Sequence, residues 1–138
     1  MQTVPLLTWN SSYSVNVKSC DAQHQKLFSL INELHDAMKL GQGRKVLANI
    51  VSELEKYVQS HFSAEEALMQ KAHYAKLGEH RAQHMHFTAQ VAQFRKDLGT
   101  EDGGDVIAVL AFLKDWLTGH IQQADKMYSS HLNSHGIN

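Results

Sequence analysis

Residues 61–70 read HFSAEEALMQ, which sets His61 and Glu65 four positions apart, side by side on one face of any helix formed there. That face runs upstream through Leu47, Ile50, Leu54 and Val58 and downstream to Leu68, so it is the face a helix would bury. An unpaired polar or charged group in an apolar interior costs several kcal/mol. Both side chains therefore need a compensating partner inside the fold.

Three further stretches carry the same periodicity. The first helix is expected from about Asp21, read as its N-cap, to the GQG at 41–43, with His24, Leu27, Phe28, Ile31, Leu34 and Met38 on one stripe. The second spans Arg44 to Gln70 and contains the opening stretch. The third, from near Ala75 to Leu98, reads Leu77, His80, His84, Phe87, Val91, Phe94, Leu98 in steps of three and four. After the linker GTEDGGD, the fourth carries Val106, Val109, Leu113, Trp116 and His120 and continues to about Leu132. No strand pattern competes. Helices of about 20 to 27 residues, roughly 30 to 40 Å long and joined by short loops, predict an all-α fold, an antiparallel up-down-up-down four-helix bundle. Residues 1–20 are expected to form an irregular N-terminal arm packed through Trp9 and Tyr13, residues 21–132 the bundle and 133–138 a tail, all in one domain.

Composition narrows the function classes. Thirteen basic against fourteen acidic residues leave a net charge of -1, so no long-range field draws nucleic acid or an acidic membrane surface. The single cysteine, Cys20, excludes an internal disulfide and fits a reducing compartment, where it is read as an idle buried thiol. The first residues, MQTVPLLTWN, lack a basic n-region and a long apolar run, so a soluble, cytoplasmic protein without membrane insertion is expected. The anomaly is histidine, with ten residues dispersed along the chain rather than gathered in a tag.

In the predicted bundle all four stripes face one axis, so His24, His61, Glu65, His80, His84 and His120 converge in the core. One such histidine is ordinarily a hydrogen-bonded core residue. Five with a carboxylate form a ligand set suited to iron, zinc or copper, and they exceed what a single tetrahedral zinc uses. Two ions are expected, with anionic bridges to offset their charge. Glu65 is one candidate bridge. Near His120 the available carboxylate is Asp125, five residues on rather than four, which an ideal helix would turn partly off the stripe unless the backbone makes a local π-type adjustment.

The set His24, HFSAE, HRAQH and HIQQAD resembles the pattern H, HxxxE, HxxxH, HxxxxD of the hemerythrin family. The likeness extends in order through Trp9, YSVNV, DAQH, YVQSHFSAEEALM, HY and FLKDWLTGHI to Asp125. It departs at Asn16, Cys20 and Ala75, none of them a ligand. The resemblance implies two non-haem iron ions. One would be held by His80, His84 and His120 and the other by His24 and His61, bridged by Glu65, Asp125 and an oxo or hydroxo group. The three-against-two division leaves an open position on the second iron for dioxygen. Around it the family places Leu27, Phe62, Trp116, Leu117 and Ile121.

The implied function is reversible dioxygen binding as a carrier, store or supplier to an oxygen-consuming enzyme, by a monomer that is not itself an enzyme. The chain has no Glu-x-x-His pair of the kind carried by carboxylate-rich di-iron oxidases, and histidine-rich ligation favours the ferrous state. The competing readings are an oxygen- or redox-sensing module and a weak di-iron peroxidase or nitric oxide scavenger. The other histidines are given plain roles: His35 and His86 solvated, His73 before the third helix, His131 too far from His120, His135 in the tail. Glu66 is read as a surface residue and Met69 as core.

Overall fold

A computed structural model of the protein describes residues 8–101 and 103–138. The reading of residues 1–7 as part of the arm, and of Asp102 as part of the linker, lies outside these. The described residues contain four long helices and no strand. Helix α1 is Lys18–Lys39. Helix α2 runs over 43–71 as Gly43–Tyr57, a π-helical turn Val58–Phe62, and Ser63–Lys71. Helix α3 is Leu77–Leu98. Helix α4 covers 106–134 as Val106–Trp116, a π-helical segment Leu117–Asp125, and Lys126–Ser134. Backbone angles are right-handed helical on both sides of each π segment, so α2 and α4 each run on without a break. Short connections make sequence neighbours antiparallel and produce the expected bundle. No helix among the described residues is long and apolar enough to cross a membrane.

The first helix begins three residues earlier than the sequence suggests. Val17 stands at its N-cap without a side-chain bond, and Asp21 lies in the first turn, where a negative charge suits the helix dipole. The Asp21 carboxylate instead accepts from Val15 N–H at 2.8 Å and Ser14 Oγ at 2.6 Å, so it ties the arm to the helix. The arm also packs through rings, with Tyr13 edge-on to Phe28 at 4.6 Å and Trp9 at 5.2 Å, as their apolar character predicts. The tail is not loose either. Asn133 Nδ2 donates to Asn16 O at 3.0 Å, and Ile137 packs beneath Leu132.

Three helix ends close in the same way. After α1, Gly41 takes a left-handed φ of 70° while Gly41 N–H and Gln42 N–H reach back to Met38 O and Ala37 O. After α4, Gly136 at φ 77° does the same with Asn133 O and Leu132 O. After α2 the left-handed position belongs to His73, at φ 56°. A Cβ in that region costs about 1 kcal/mol that glycine does not incur.

The apolar interior divides into two clusters. The larger takes Leu27, Ile31 and Leu34 of α1, Leu47, Ile50, Leu54 and Phe62 of α2, Phe87 and Val91 of α3, and Leu113, Trp116, Leu117 and Ile121 of α4. The smaller consists of Val15, Val17, Cys20, Met69, Ala72, Tyr128 and Leu132. Along every helix the histidine positions lie between the two. The π turn at Val58–Phe62 explains why Met69 is fully buried while Leu68, on the stripe read from sequence, is only half-buried. One extra residue in the turn rotates everything after it.

His73→Gly should raise the denaturation midpoint by an amount equivalent to about 1 kcal/mol, since the side chain is exposed and only the backbone changes. Urea unfolding with an unchanged m-value checks this. A loss of stability would mean that the imidazole contributes more than its backbone conformation costs.

Candidate metal centre

Between the two clusters, each helix delivers ligand-type side chains into one layer. His24 comes from α1, His61 and Glu65 from α2, His80 and His84 from α3, and His120 and Asp125 from α4, and none is more than 4% exposed. They form two groups, Glu65, His80, His84, His120, Asp125 and His24, His61, Glu65, Asp125, each with its donor atoms within 4.8 Å of one another. Both carboxylates belong to both groups. His80 Nε2 lies 2.8 Å from Glu65 Oε1 and 2.8 Å from Asp125 Oδ1. His84 Nε2 is 3.0 Å from Glu65 Oε1, and His120 Nε2 is 2.8 Å from Asp125 Oδ1. On the other side, His24 Nε2 is 3.1 Å from Asp125 Oδ2, and His61 Nε2 is 3.1 Å from Glu65 Oε2. The layer gathers all seven positions singled out in the sequence.

Asp125 reaches the layer because Leu117–Asp125 is π-helical. In that geometry residues five apart share a face, so His120 and Asp125 point the same way. The awkward spacing in HIQQAD is thus matched by the backbone adjustment it calls for.

The arrangement of these atoms fits a bound cation. The Nε2 atoms of His84 and His120 and both carboxylate oxygens of Asp125 are buried without a hydrogen-bond partner, although other polar atoms stand 2.8–3.1 Å away. Close approach without donor-to-acceptor alignment is what lone pairs do when they converge on a common point. Imidazole nitrogen and carboxylate oxygen are the donors that a divalent transition metal accepts. Electrostatics make the same demand. Burial opposes charge on His24 and His80, yet Asp125 and Glu65 beside them push both imidazoles up to about 9. Burial likewise opposes the Glu65 carboxylate, but His24, His61 and His80 hold it well below the usual range. The layer calls for positive charge, which protons or metal ions can supply.

Outer contacts fix three of the five imidazoles, those of His61, His84 and His120, whereas His24 Nδ1 is buried without a partner. With Nε2 facing the layer, the proton sits on Nδ1. His61 Nδ1–H donates to Gln23 Oε1, and His120 Nδ1–H donates to Gln83 Oε1 at 2.6 Å. His84 Nδ1–H donates to Glu66 Oε2 at 3.0 Å, and Arg81 Nε donates to the other oxygen of Glu66 at 2.9 Å. The Tyr128 hydroxyl donates to Glu65 Oε2 at 2.8 Å. Glu66 is therefore not merely a surface residue, and Gln23, Gln83 and Tyr128 escaped the sequence reading altogether. A signal existed for three of the four. Gln23 precedes His24, Gln83 precedes His84 and Glu66 follows Glu65, so each stands one position off a ligand stripe and reaches sideways to a ligand on the next helix.

The apolar residues around the layer are all buried. Leu27, Leu117 and Ile121 belong to the larger cluster. Phe62 stacks on His84 at 3.8 Å and Trp116 on His120 at 3.9 Å, so both rings wall the three-imidazole side. Tyr57 stacks on His61 at 4.9 Å. Among the remaining histidines, His86 is exposed as read, whereas His35 is half-buried with Nδ1 out of solvent. His131 donates to Ala72 O at 2.5 Å, beneath the turn that ends α2. The Cys20 thiol is pushed up to about 12, first by burial and then by the Glu65 charge, which leaves it inert as a nucleophile.

Chelation of metal from the loaded protein should lower its melting temperature sharply, because the buried carboxylates and imidazoles then compensate only one another. Gln83→Ala should loosen metal by about ten- to a hundredfold in chelator competition, as the loss of an outer contact to a ligating imidazole typically does. Unchanged melting and unchanged affinity would show that the layer is stable as an ion-pair network alone.

Residues 15–132 match the family model described as the hemerythrin HHE cation binding domain. The chain is 32% identical over 130 residues to the bacteriohemerythrin of Methylococcus capsulatus, covering 94% of this chain and 98% of that one. It is 33% identical over 127 residues to a hemerythrin-like protein of Naegleria gruberi, covering 91% and 94%. A wild-type hemerythrin crystal structure superposes with a TM-score of 0.82 at 33% identity, covering 92% of this chain and 98% of that one. With its ligand-type residues spaced along four helices in the family's order, the chain belongs to the hemerythrin family.

Proposed function

We propose that this protein binds dioxygen reversibly at a di-iron centre. In this reading His80, His84 and His120 hold one iron, His24 and His61 the other, and Glu65 and Asp125 bridge them. The observation that carries it is the division of five buried imidazoles, three against two, around a shared pair of carboxylates. That asymmetry gives one ion fewer protein ligands than the other and so a free position. When bound, the ferrous pair would supply the electrons that dioxygen takes up on binding and returns on release.

The chain's own residues govern the reversibility. Leu27, Phe62, Trp116, Leu117 and Ile121 surround the layer on the side of the larger cluster and exclude water, which loss of reduced oxygen would need. Gln23, Gln83 and Glu66 hold three of the five imidazoles in one orientation, so ligand exchange requires little rearrangement. Tyr128 fixes the Glu65 carboxylate from the side of the smaller cluster. We further propose that residues 1–138 act as one domain and a monomer, in the cytoplasm, supplying oxygen to an oxygen-consuming enzyme. The single buried thiol is compatible with a reducing compartment.

Two iron atoms per chain and a visible absorption band that appears when the reduced protein meets oxygen, then vanishes when oxygen is removed, are the expected results. A spectrum that goes directly and irreversibly to the oxidised form would replace this reading with sensing or redox turnover. Ile121→Glu should abolish the reversible band by placing a carboxylate beside the free position. If oxygenation survives that change, Ile121 does not line the pocket.

A further inference from the structure

Two polar atoms in the larger apolar cluster are left without a use by the reading above. The Tyr57 hydroxyl and the Trp116 indole Nε1 are both out of solvent and both lack a hydrogen-bond partner. Their residues are 5% and 7% exposed. The indole N–H lies near the Tyr57 oxygen, but no hydrogen bond joins them. Leaving a buried hydroxyl unsatisfied costs free energy that phenylalanine, of nearly the same shape, would avoid.

Chemistry and position together suggest what completes the pair. An indole N–H can only donate, and a phenol that accepts from it still has its own proton to give. A phenol keeps its proton at neutral pH, so the hydroxyl is available as a donor. Even if the phenol oxygen accepts from the indole, one proton of the pair is left over, and it calls for a small acceptor from outside. Tyr57 lies face to face with His61 and Trp116 with His120, while Phe62 contacts both, 5.6 Å from the one ring and 5.7 Å from the other. The donors thus flank the layer from both of its halves. They do so on the face opposite Tyr128, which already occupies the carboxylate side.

We propose that the Tyr57 hydroxyl, with the Trp116 indole N–H beside it, forms a hydrogen-bond donor site for the small acceptor ligand bound at the metal layer, dioxygen or a small anion such as azide. Tyr57 is then a positioning residue in a pocket otherwise built from hydrocarbon. It selects ligands with accepting lone pairs and retards their escape. The inference rests on the proposed oxygen-binding centre, but its test does not require oxygen.

The variant is Tyr57→Phe, compared with wild type in three measurements. Azide affinity of the oxidised, metal-loaded protein should fall by about tenfold, the worth of one hydrogen bond to an anion. Oxygen dissociation from the reduced protein should speed up by a similar factor. Melting temperature of the metal-free protein should stay level or rise, because the substitution removes an unsatisfied hydroxyl. Azide affinity and oxygen release both within twofold of wild type would overturn the proposal. So would a marked drop in metal-free stability or a failure to fold, since either means that the hydroxyl has a structural partner. If wild type shows no reversible oxygen band while azide binding still depends on Tyr57, the carrier reading fails and the donor site stands.

Discussion

The structure depends on burying charge. Five imidazoles and two carboxylates occupy one layer of the bundle at no more than 4% exposure. An apolar layer at the same depth would be easier to fold, because each ionised group gives up its hydration on entering. The cost is tolerable only if the layer is neutralised within itself or by bound cations. Every other local feature follows from this. The sequence must bring opposite charges from four helices to one depth, hold each imidazole with the correct nitrogen inward, and seal the layer with hydrocarbon above and below. A family in which this layer binds metal uses the burial cost to make the site selective for cations.

The two π segments show how a regular scaffold accommodates an irregular requirement. Four α-helices with heptad-like stripes would present side chains at steps of three and four. His120 and Asp125 are five apart, and the nine-residue π stretch brings both to the same face. The shorter segment at Val58–Phe62 ends beside His61, the ligand whose ring stacks on Tyr57. π turns weaken local hydrogen bonding and are kept where a site needs them. Here they lie on the two helices that carry the shared carboxylates, while α1 and α3, which supply only histidines, are regular throughout.

Much of this was legible in the sequence. Histidines standing in for leucines on a three-four stripe identify both the bundle and its polar layer, because side-chain direction on a helix follows directly from spacing. The five-residue step to Asp125 signalled the π segment in α4. The turn in α2 left no such mark, since His61 and Glu65 keep an ordinary spacing, and it emerges only in that Leu68, on the stripe, is half-buried while Met69, also read as core, is fully buried. The outer contacts were harder to read for a different reason, although three of the four stand one position off the polar stripe. Gln23, Gln83 and Glu66 are polar residues off the buried stripe, where polar residues are expected in any case, and only the lateral distance between helices reveals their partners. Asp21 was misassigned because an acidic residue near a helix start serves equally well as a cap or as an anchor for the preceding chain.

The split interior also bears on how the molecule opens. The larger cluster is contributed by the central spans of all four helices and forms a conventional bundle core. The smaller one is assembled from the arm, the end of α2 and the end of α4, pieces far apart in the chain and stitched by Ser129 to Val15 O and Asn133 to Asn16 O. The charged layer, the helices that run through it, and the rings of the arm on Phe28 join the two. Amides at this end of the bundle are therefore expected to exchange by local opening more readily than those of the main core. A cation held in the layer would tie this end to the main core and slow that exchange. Amide exchange in this corner of the protein thus reports on the state of the centre from a distance, without any signal from the centre itself.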